Sequence, residues 1–309
     1  MTFAIPLRAR RWAPVLLTGL LLAGCGTGPG EPGAAAIVGS ARIPVSQVQD
    51  RLDEVLRDPE EAARLREEGG LGNRGRQLAS FLVQQELIEQ AAVREGLRVP
   101  ESRVDAALQE QGGPAAVADG TLVTPPHVRD YVRSSLLLTE LGRAQAGRLS
   151  VLVDYLGAGT RGQAQQLAGR IAAGDTAALD EAQRAGRPVA RGERLSVAGN
   201  PELAALTPMF GAQPGTVLAF EPQPNSGQWI VARIAERSVA PGAPDPAAAQ
   251  LDEQTLQAIG LRLLGATAQQ VGVELSPRYG VWDPIALNAA PEAGQTTGFS
   301  FPPRAADRG

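Results

Sequence analysis

Apolar residues recur at helical spacing through the first half of the chain. The pattern predicts helices over residues 45–56, 74–95, 100–111 and 124–146, because apolar positions three or four residues apart line one face of a helix. The second helix has the longest apolar stripe of the four, from Leu78 to Ala92. The sequence therefore predicts a mainly helical module in this part of the chain.

Local signals mark several ends of these helices. Gly96 follows the second helix, and a glycine in the left-handed conformation commonly ends one. Thr124 is predicted to cap the fourth helix, with Pro125 at its first position, where a missing N–H is not needed. The highly charged stretch from Arg57 to Arg66 is a candidate extension of the first helix, and the run from Asp58 to Glu68 is predicted to be a solvated helix face.

The pattern changes near Leu149, where strands are predicted. Residues 149–155 and 228–234 combine β-branched and apolar residues between turn signals, and a last helix is predicted from about Ala247 to Val271. We therefore predict an α+β fold, in which a C-terminal helix completes the helical N-terminal module beside a small α+β domain. The predicted segments are a signal peptide (1–24), a flexible tether (25–35), the helical domain (36–148), the small domain (149–238), a linker with the C-terminal helix (239–290) and a disordered tail (291–309).

The first 25 residues resemble a bacterial lipoprotein signal. Three arginines precede an apolar run over residues 13–23, which is shorter than the roughly 20 residues that a membrane span needs. The run ends in Leu22-Ala23-Gly24-Cys25, which resembles the lipobox, whose cysteine thiol receives a diacylglyceryl group. A plain secretory signal with an incidental cysteine is the alternative.

The resemblance to the lipobox implies an extracytoplasmic protein that is anchored to a membrane through acylated Cys25. One acyl chain binds a membrane marginally, whereas two hold a protein stably. Cys25 is also the single cysteine of the chain, which excludes a disulfide within it.

Composition and motifs exclude several classes of function. The net charge of −4, with mixed signs, argues against nucleic acid as a partner. There is no phosphate-binding loop, no cluster of metal ligands and no nucleophile elbow, so we assign no catalytic residue, metal or cofactor. The single histidine, His127, is predicted to be a surface residue.

Three stretches resemble the SurA family of extracytoplasmic chaperones. They are Ile37–Ser46 near the start, Leu97–Val104 at a helix start, and Ala205–Val217 followed by Gly227–Val231. The resemblance implies a helical N-terminal module, a parvulin-type prolyl isomerase domain, and a C-terminal helix that returns to the N-terminal module.

The chain departs from the parvulin pattern at the prolyl site. Parvulins place two histidines on central strands, with a cysteine or aspartate nearby, whereas this chain has Leu149-Ser150-Val151 and Gln228-Trp229 at those places. Isomerisation has a barrier of about 18–20 kcal/mol, and the resemblance supplies no residues that lower it. We therefore predict a domain without isomerase catalysis.

The predicted function is that of a membrane-anchored chaperone for unfolded or newly exported polypeptides. Met209, Phe210 and Trp229 are candidates for a shallow peptide-binding groove, and the alternative is that they are core residues. An active peptidyl-prolyl isomerase and a cell-envelope adaptor or scaffold with one dedicated partner are the competing functions. Tyr279 and Trp282 are predicted to pack onto the helical module.

Overall fold

The computed structural model describes residues 31–119, 121–175, 177–223 and 226–303. Cys25 and the lipobox residues Leu22, Ala23 and Gly24 lie outside these ranges, so lipidation stays a prediction. Within the described ranges, no helix combines the length and apolar character that crossing a bilayer requires.

Helices occupy most of the first half of the chain, and strands are concentrated in the second. The helices are α1 (Val45–Val55), α2 (Pro59–Glu67), α3 (Leu71–Glu95), α4 (Glu101–Glu110), α5 (Pro114–Ala118), α6 (Val128–Ala146), α7 (Arg161–Ala172), α8 (Ala177–Arg184), α9 (Pro201–Leu206) and α10 (Glu253–Val271). The strands are β1 (Ala34–Val38), β2 (Ala41–Pro44), β3 (Leu149–Ala158), β4 (Val189–Ser196), β5 (Val217–Phe220), β6 (Trp229–Val239), β7 (Val273–Leu275), β8 (Val281–Asp283), β9 (Asn288–Ala290) and β10 (Gly298–Phe301). The predicted α+β class is thereby confirmed.

Two predicted helix boundaries are wrong. The charged run does not prolong α1, because the Asp58 carboxylate accepts hydrogen bonds from Glu60 N (2.9 Å) and Glu61 N (3.3 Å) and starts α2 as a separate helix. Thr124 does not cap α6, because its hydroxyl donates to the Glu54 carboxylate instead, and a 3₁₀ turn over Pro125–His127 precedes the helix. Gly96 does end α3, with φ of 66°.

A small antiparallel sheet joins the start of the described chain to the segment after α10. Its order is β2-β1-β7, with Val38 opposite Val273 and Ala36 opposite Leu275. Since β7 directly follows α10, this pairing places the end of α10 beside the first hairpin.

The larger sheet has the order β10-β5-β6-β3-β4, and each neighbouring pair is antiparallel. Both of its faces are covered. One face packs on α7 and α8 through residues such as Val217, Trp229 and Val231. The other face, with Val151 and Ile234, belongs to a core that continues through α10 into α3 and α6.

Helix α10 packs directly against α6, as the predicted fold class requires. A Cβ atom on Gly142 of α6 would lie 2.0 Å from the Leu256 carbonyl oxygen, and one on Gly260 of α10 would lie 2.0 Å from the Leu138 carbonyl oxygen. Only glycine, which has no Cβ atom, allows the two helix backbones to approach this closely at both positions. The crossing therefore holds α10 and α6 in direct backbone contact.

The predicted disorder of residues 291–309 is wrong for the part that the structure describes. Strand β10 pairs with β5 along its whole length, from Gly298 opposite Phe220 to Phe301 opposite Val217. Phe299 and Phe301 pack against the core beneath α7. Burial of these two aromatic side chains stabilises a segment whose Gly, Pro and Thr content is typical of disorder.

Candidate functional site

Two open grooves flank the C-terminal segment, which we define as residues 281–303. The first, the Trp229 groove, has a volume of about 500 Å³, and the second, the Trp282 groove, has a volume of about 620 Å³. A narrow enclosed space of about 10 Å³ separates them and shares lining residues with each. The segment that was predicted to be a linker end and a tail therefore builds walls of both grooves.

The Trp229 groove has a mainly apolar wall. Its apolar members come from α9 and β5, from the residues that follow them, from the start of β6 and from the C-terminal segment: Leu206, Pro208, Phe220, Pro222, Trp229, Ile285 and Ala286. Leu206 is 58% exposed, and among the described residues only Val93 and Val239 are other large hydrophobic side chains classed as exposed. An exposed leucine at the rim of an apolar groove is a surface on which another apolar side chain can pack.

Arg161, in the first turn of α7, holds one end of this groove. Its guanidinium donates to the Thr296 carbonyl oxygen (2.6 Å) and to the Thr296 hydroxyl (2.9 Å). The same group lies over two aromatic rings, 4.5 Å from the Phe299 centroid and 5.5 Å from the Trp229 centroid, which is within the range of a cation–π interaction. Arg161 thus joins α7 to the C-terminal segment.

Arg262 of α10 lines the same groove from beneath. Its Nε donates to the Ala205 carbonyl oxygen (3.2 Å) and its Nη1 to the Ile285 carbonyl oxygen (3.1 Å). Burial lowers the pKa of Arg262, and the charge of Asp283 opposes that shift. An arginine remains protonated in proteins, so the groove carries a fixed positive charge at this point.

Among the residues that the structure describes, no charged side chain lines the Trp282 groove. Its wall combines Trp282 with four prolines and several small or amide residues: Gln213, Pro214, Gly265, Ala268, Gln269, Gln270, Gly272, Val273, Pro284, Ser300, Pro302 and Pro303. The Gln269 side-chain oxygen accepts from Gln213 N (2.8 Å) and from the Thr216 hydroxyl (3.3 Å). These bonds fix the amide in an otherwise apolar wall.

Two of the three predicted peptide-binding residues cannot contact a peptide in this structure. Met209 is 3% exposed and Phe210 is 0% exposed, because α10 covers them. The covering contact is close, since a Cβ atom on the next residue, Gly211, would lie 1.9 Å from the Arg262 carbonyl oxygen. The alternative interpretation, that these two are core residues, is the one that the burial supports.

Trp229 belongs partly to the core and partly to the wall of a groove. It is 6% exposed and its ring centroid lies 6.3 Å from that of Phe299. Most of the indole is therefore core, while the residue also lines the groove that we name after it.

The sequence missed Arg161, Leu206 and Trp282 as groove residues. Each lies on a different element, and only the folded C-terminal segment brings their surroundings together.

A carboxylate–imidazole pair lies in the helical module. His127 Nε2 lies 3.1 Å from a Glu54 carboxylate oxygen, and the two side chains are 25% and 18% exposed. His127 is thus partly exposed at the surface, and its ring is held by Glu54 of α1. Burial acts to raise the pKa of Glu54, but hydrogen bonds with Thr124 and His127 outweigh it and lower that pKa overall.

This cluster lacks the geometry of a nucleophilic relay. Both Thr124 and His127 contact the carboxylate of Glu54, whereas an activated nucleophile requires the imidazole to lie between hydroxyl and carboxylate. The adjoining cavity, of about 880 Å³, contains Arg64 and Arg74, which are already paired with Glu61. Among the described residues, no group of three His, Cys, Asp or Glu side chains could hold a metal ion.

Comparison with known proteins gives a likeness at the level of structure. No protein-family model and no curated protein matches the sequence. A crystal structure of the foldase protein PrsA from Lactococcus lactis is similar over 78% of this chain and 94% of that chain, with 11% sequence identity and a TM-score of 0.28.

Proposed function

We propose that this protein is a membrane-anchored extracytoplasmic chaperone that binds unfolded or newly exported polypeptides in its two grooves. The observation that carries the proposal is the Trp282 groove, which is wide and whose described lining has proline, tryptophan and amide side chains but no charged one. Such a lining suits apolar side chains of many sequences and leaves amides for hydrogen bonds with the backbone of a client.

The predicted anchor supports weak binding of this kind. A chaperone that is tethered through Cys25 meets its clients at a high effective concentration close to the membrane that they cross. Shallow grooves with affinities in the micromolar range or weaker are sufficient under that condition. Leu22, Ala23 and Gly24 complete the lipobox that supports the anchor.

The proposal includes no prolyl isomerase catalysis. Strands β3 and β6 present Leu149, Val151 and Trp229 where the parvulin resemblance implies histidines. The one histidine of the chain, His127, lies just before α6 and pairs with Glu54.

Aggregation suppression tests the proposed function. The full chain in detergent micelles is added to a chemically denatured client that aggregates on dilution, and light scattering is followed. We expect suppression at a few-fold molar excess, and we expect Trp282→Ala to weaken it severalfold because the apolar wall of the groove loses its largest member. Val93→Ala is the matched control, because Val93 is 84% exposed on α3 and lines neither groove.

A prolyl isomerase assay on the same preparation separates the competing function. We expect no acceleration of cis–trans exchange in a proline peptide above the uncatalysed rate. Clear acceleration together with unchanged scattering would replace the chaperone proposal with an active isomerase. Unchanged scattering without acceleration would leave the adaptor hypothesis, which a single stoichiometric partner would then support.

A further inference from the structure

The Trp229 groove differs from the Trp282 groove in its charge. Two arginines, Arg161 and Arg262, line the Trp229 groove together with one carboxylate, that of Glu221. Among the described residues, neither arginine forms a salt bridge with a carboxylate. Most other ion pairs of the protein do involve an arginine, with N–O distances such as 2.6 Å for Arg64–Glu61 and Arg74–Glu61 and 3.7 Å for Arg233–Asp154. The charge of Asp283 acts on Arg262, so Arg161 is the lining arginine without a described carboxylate partner.

The two guanidinium groups also retain hydrogen-bonding capacity. A guanidinium has five N–H donors. The described bonds of Arg161 engage two nitrogens with Thr296, and those of Arg262 engage two nitrogens with backbone carbonyl oxygens of Ala205 and Ile285. All of these acceptors are neutral. The charge of Asp283 partly offsets that of Arg262, whereas Arg161 is held by Thr296 without a described ion pair.

Partial burial increases the effect of this charge. Both arginines are of intermediate exposure, and burial lowers the pKa of Arg262, which indicates that its charge is poorly solvated. A carboxylate that enters the groove would replace lost hydration with a charge-assisted hydrogen bond, which is roughly twice as strong as a neutral one.

We propose that the Trp229 groove binds an aspartate or glutamate side chain of an extended polypeptide, with a neighbouring apolar side chain packed on Leu206. This inference rests on the proposed function and adds a preference for acidic, apolar segments at one of the two grooves. The occupant is an internal side chain, because an exposed Leu206 and a groove open to solvent let a chain continue past the site. A free C-terminal carboxylate is the alternative that the test distinguishes.

Matched peptides test the preference on the unaltered protein. Fluorescently labelled peptides of one apolar sequence, blocked at both ends, carry Glu, Gln or Lys at the same central position. Fluorescence anisotropy with the full chain in detergent micelles gives each affinity. We expect the Glu peptide to bind about tenfold more tightly than the Gln peptide, and the Lys peptide to bind more weakly than both. Raising the ionic strength from about 0.05 M to about 0.5 M should reduce the Glu preference.

Protein variants assign the preference to the groove. Arg161→Gln is expected to remove most of the difference in affinity between the Glu and Gln peptides. Arg194→Gln is the control, because Arg194 is 54% exposed and pairs with Glu236 at the far edge of the sheet. Far-ultraviolet circular dichroism of each variant confirms that the fold is retained.

The outcomes separate this inference from the proposed function. Equal binding of Glu and Gln peptides by the unaltered protein overturns the inference and supports the proposed function. A gain that only an unblocked C-terminus produces also overturns the inference. Absence of binding by every peptide, with no suppression of aggregation, overturns both.

Discussion

A single buried carboxylate holds the C-terminal segment in its folded path. Asp283 is 1% exposed, and its carboxylate accepts hydrogen bonds from Ile285 N (2.9 Å), Ala286 N (3.1 Å) and Thr297 N. These bonds close the loop between β8 and β10, and both grooves use residues from that loop. The shape of the candidate site therefore depends on a residue that lines neither groove.

Asp283→Asn tests this dependence. An asparagine keeps one acceptor oxygen but places an NH₂ group against Thr297 N–H, which leaves a buried donor without a partner. We expect a loss of about 2 kcal/mol in the free energy of unfolding, measured by urea denaturation. Asp180→Asn, at a side chain that is 60% exposed, is the control and should change it by less than about 0.5 kcal/mol. An unchanged midpoint for Asp283→Asn would contradict the proposed role of the carboxylate.

The pH dependence of stability follows from Glu54. Its pKa is lowered in the folded protein, so folding favours the ionised form. The stabilisation is complete above the ordinary pKa of about 4.5 and is lost as the pH falls through the lowered folded value. We expect Glu54→Gln to cost about 1–2 kcal/mol at pH 7 and less at pH 3, from urea denaturation at both values. An equal loss at both pH values would show that the charge of Glu54 does not contribute.

At the scale of secondary structure, α10 is the element on which the site depends. It covers Met209 and Phe210. It also supplies Arg262 to the Trp229 groove and Gln269 to the Trp282 groove. Its position is set by the contact with α6 at Gly142 and Gly260. A change at that crossing should therefore alter both grooves.

Gly142→Ala tests the crossing. The added Cβ atom would lie 2.0 Å from the Leu256 carbonyl oxygen, and neither backbone can move without displacing α10. We expect a loss of about 3 kcal/mol in unfolding free energy, measured by thermal or urea unfolding. Gly162→Ala in α7 is the control, because nothing lies within 4 Å of the added atom. There we expect no loss, or a gain of up to about 1 kcal/mol.

The elements that the sequence predicted well are those with strong local signals. Helix α3 combines a long apolar stripe with Gly96, and β6 follows a turn. Strand β4 was missed because three of its eight residues are charged, so that its pairing with β3 decides its structure. Helix α10 starts at Glu253, later than predicted, because Asp252 caps it through Thr255 N (2.7 Å).

The candidate site was predictable only in part, because contacts between segments distant in the sequence decide which residues are exposed. Trp229 stood out as an aromatic residue in a clear strand, and the structure does place it beside a groove. Met209 and Phe210 stood out equally, but a helix more than 40 residues later in the chain covers them. Composition could not show that β10 folds, since its stability comes from pairing with β5 and from packing of Phe299 and Phe301.

At the scale of the whole molecule, the predicted anchor decides where the grooves act. Cys25→Ser removes the thiol that receives lipid, so we expect lipid modification and cleavage before residue 25 to be lost, and the chain that is cleaved elsewhere to appear in the soluble extracytoplasmic fraction. Fractionation and mass spectrometry of the N-terminus measure both effects. Membrane attachment and processing that persist without the thiol would contradict the lipoprotein prediction, and Thr27→Ser is the control for a change beside the site.

The continuity of the core predicts how the molecule unfolds. Buried residues in mutual contact extend from α3 and α6 through α10 to the inner face of the larger sheet: Leu78, Leu87, Leu141, Ile259, Leu264, Val151 and Ile234. The predicted boundary between residues 148 and 149 therefore crosses a shared core.

Because neither side of this boundary can lose its partner without exposing apolar surface, we expect one cooperative unfolding transition. Far-ultraviolet circular dichroism and tryptophan fluorescence should give the same urea midpoint, since Trp229 lies in β6 of the larger sheet and Trp282, in β8, packs against the shared core. Two separated midpoints would show that the helical module and the sheet are independent units, and the grooves between them would then open without global unfolding.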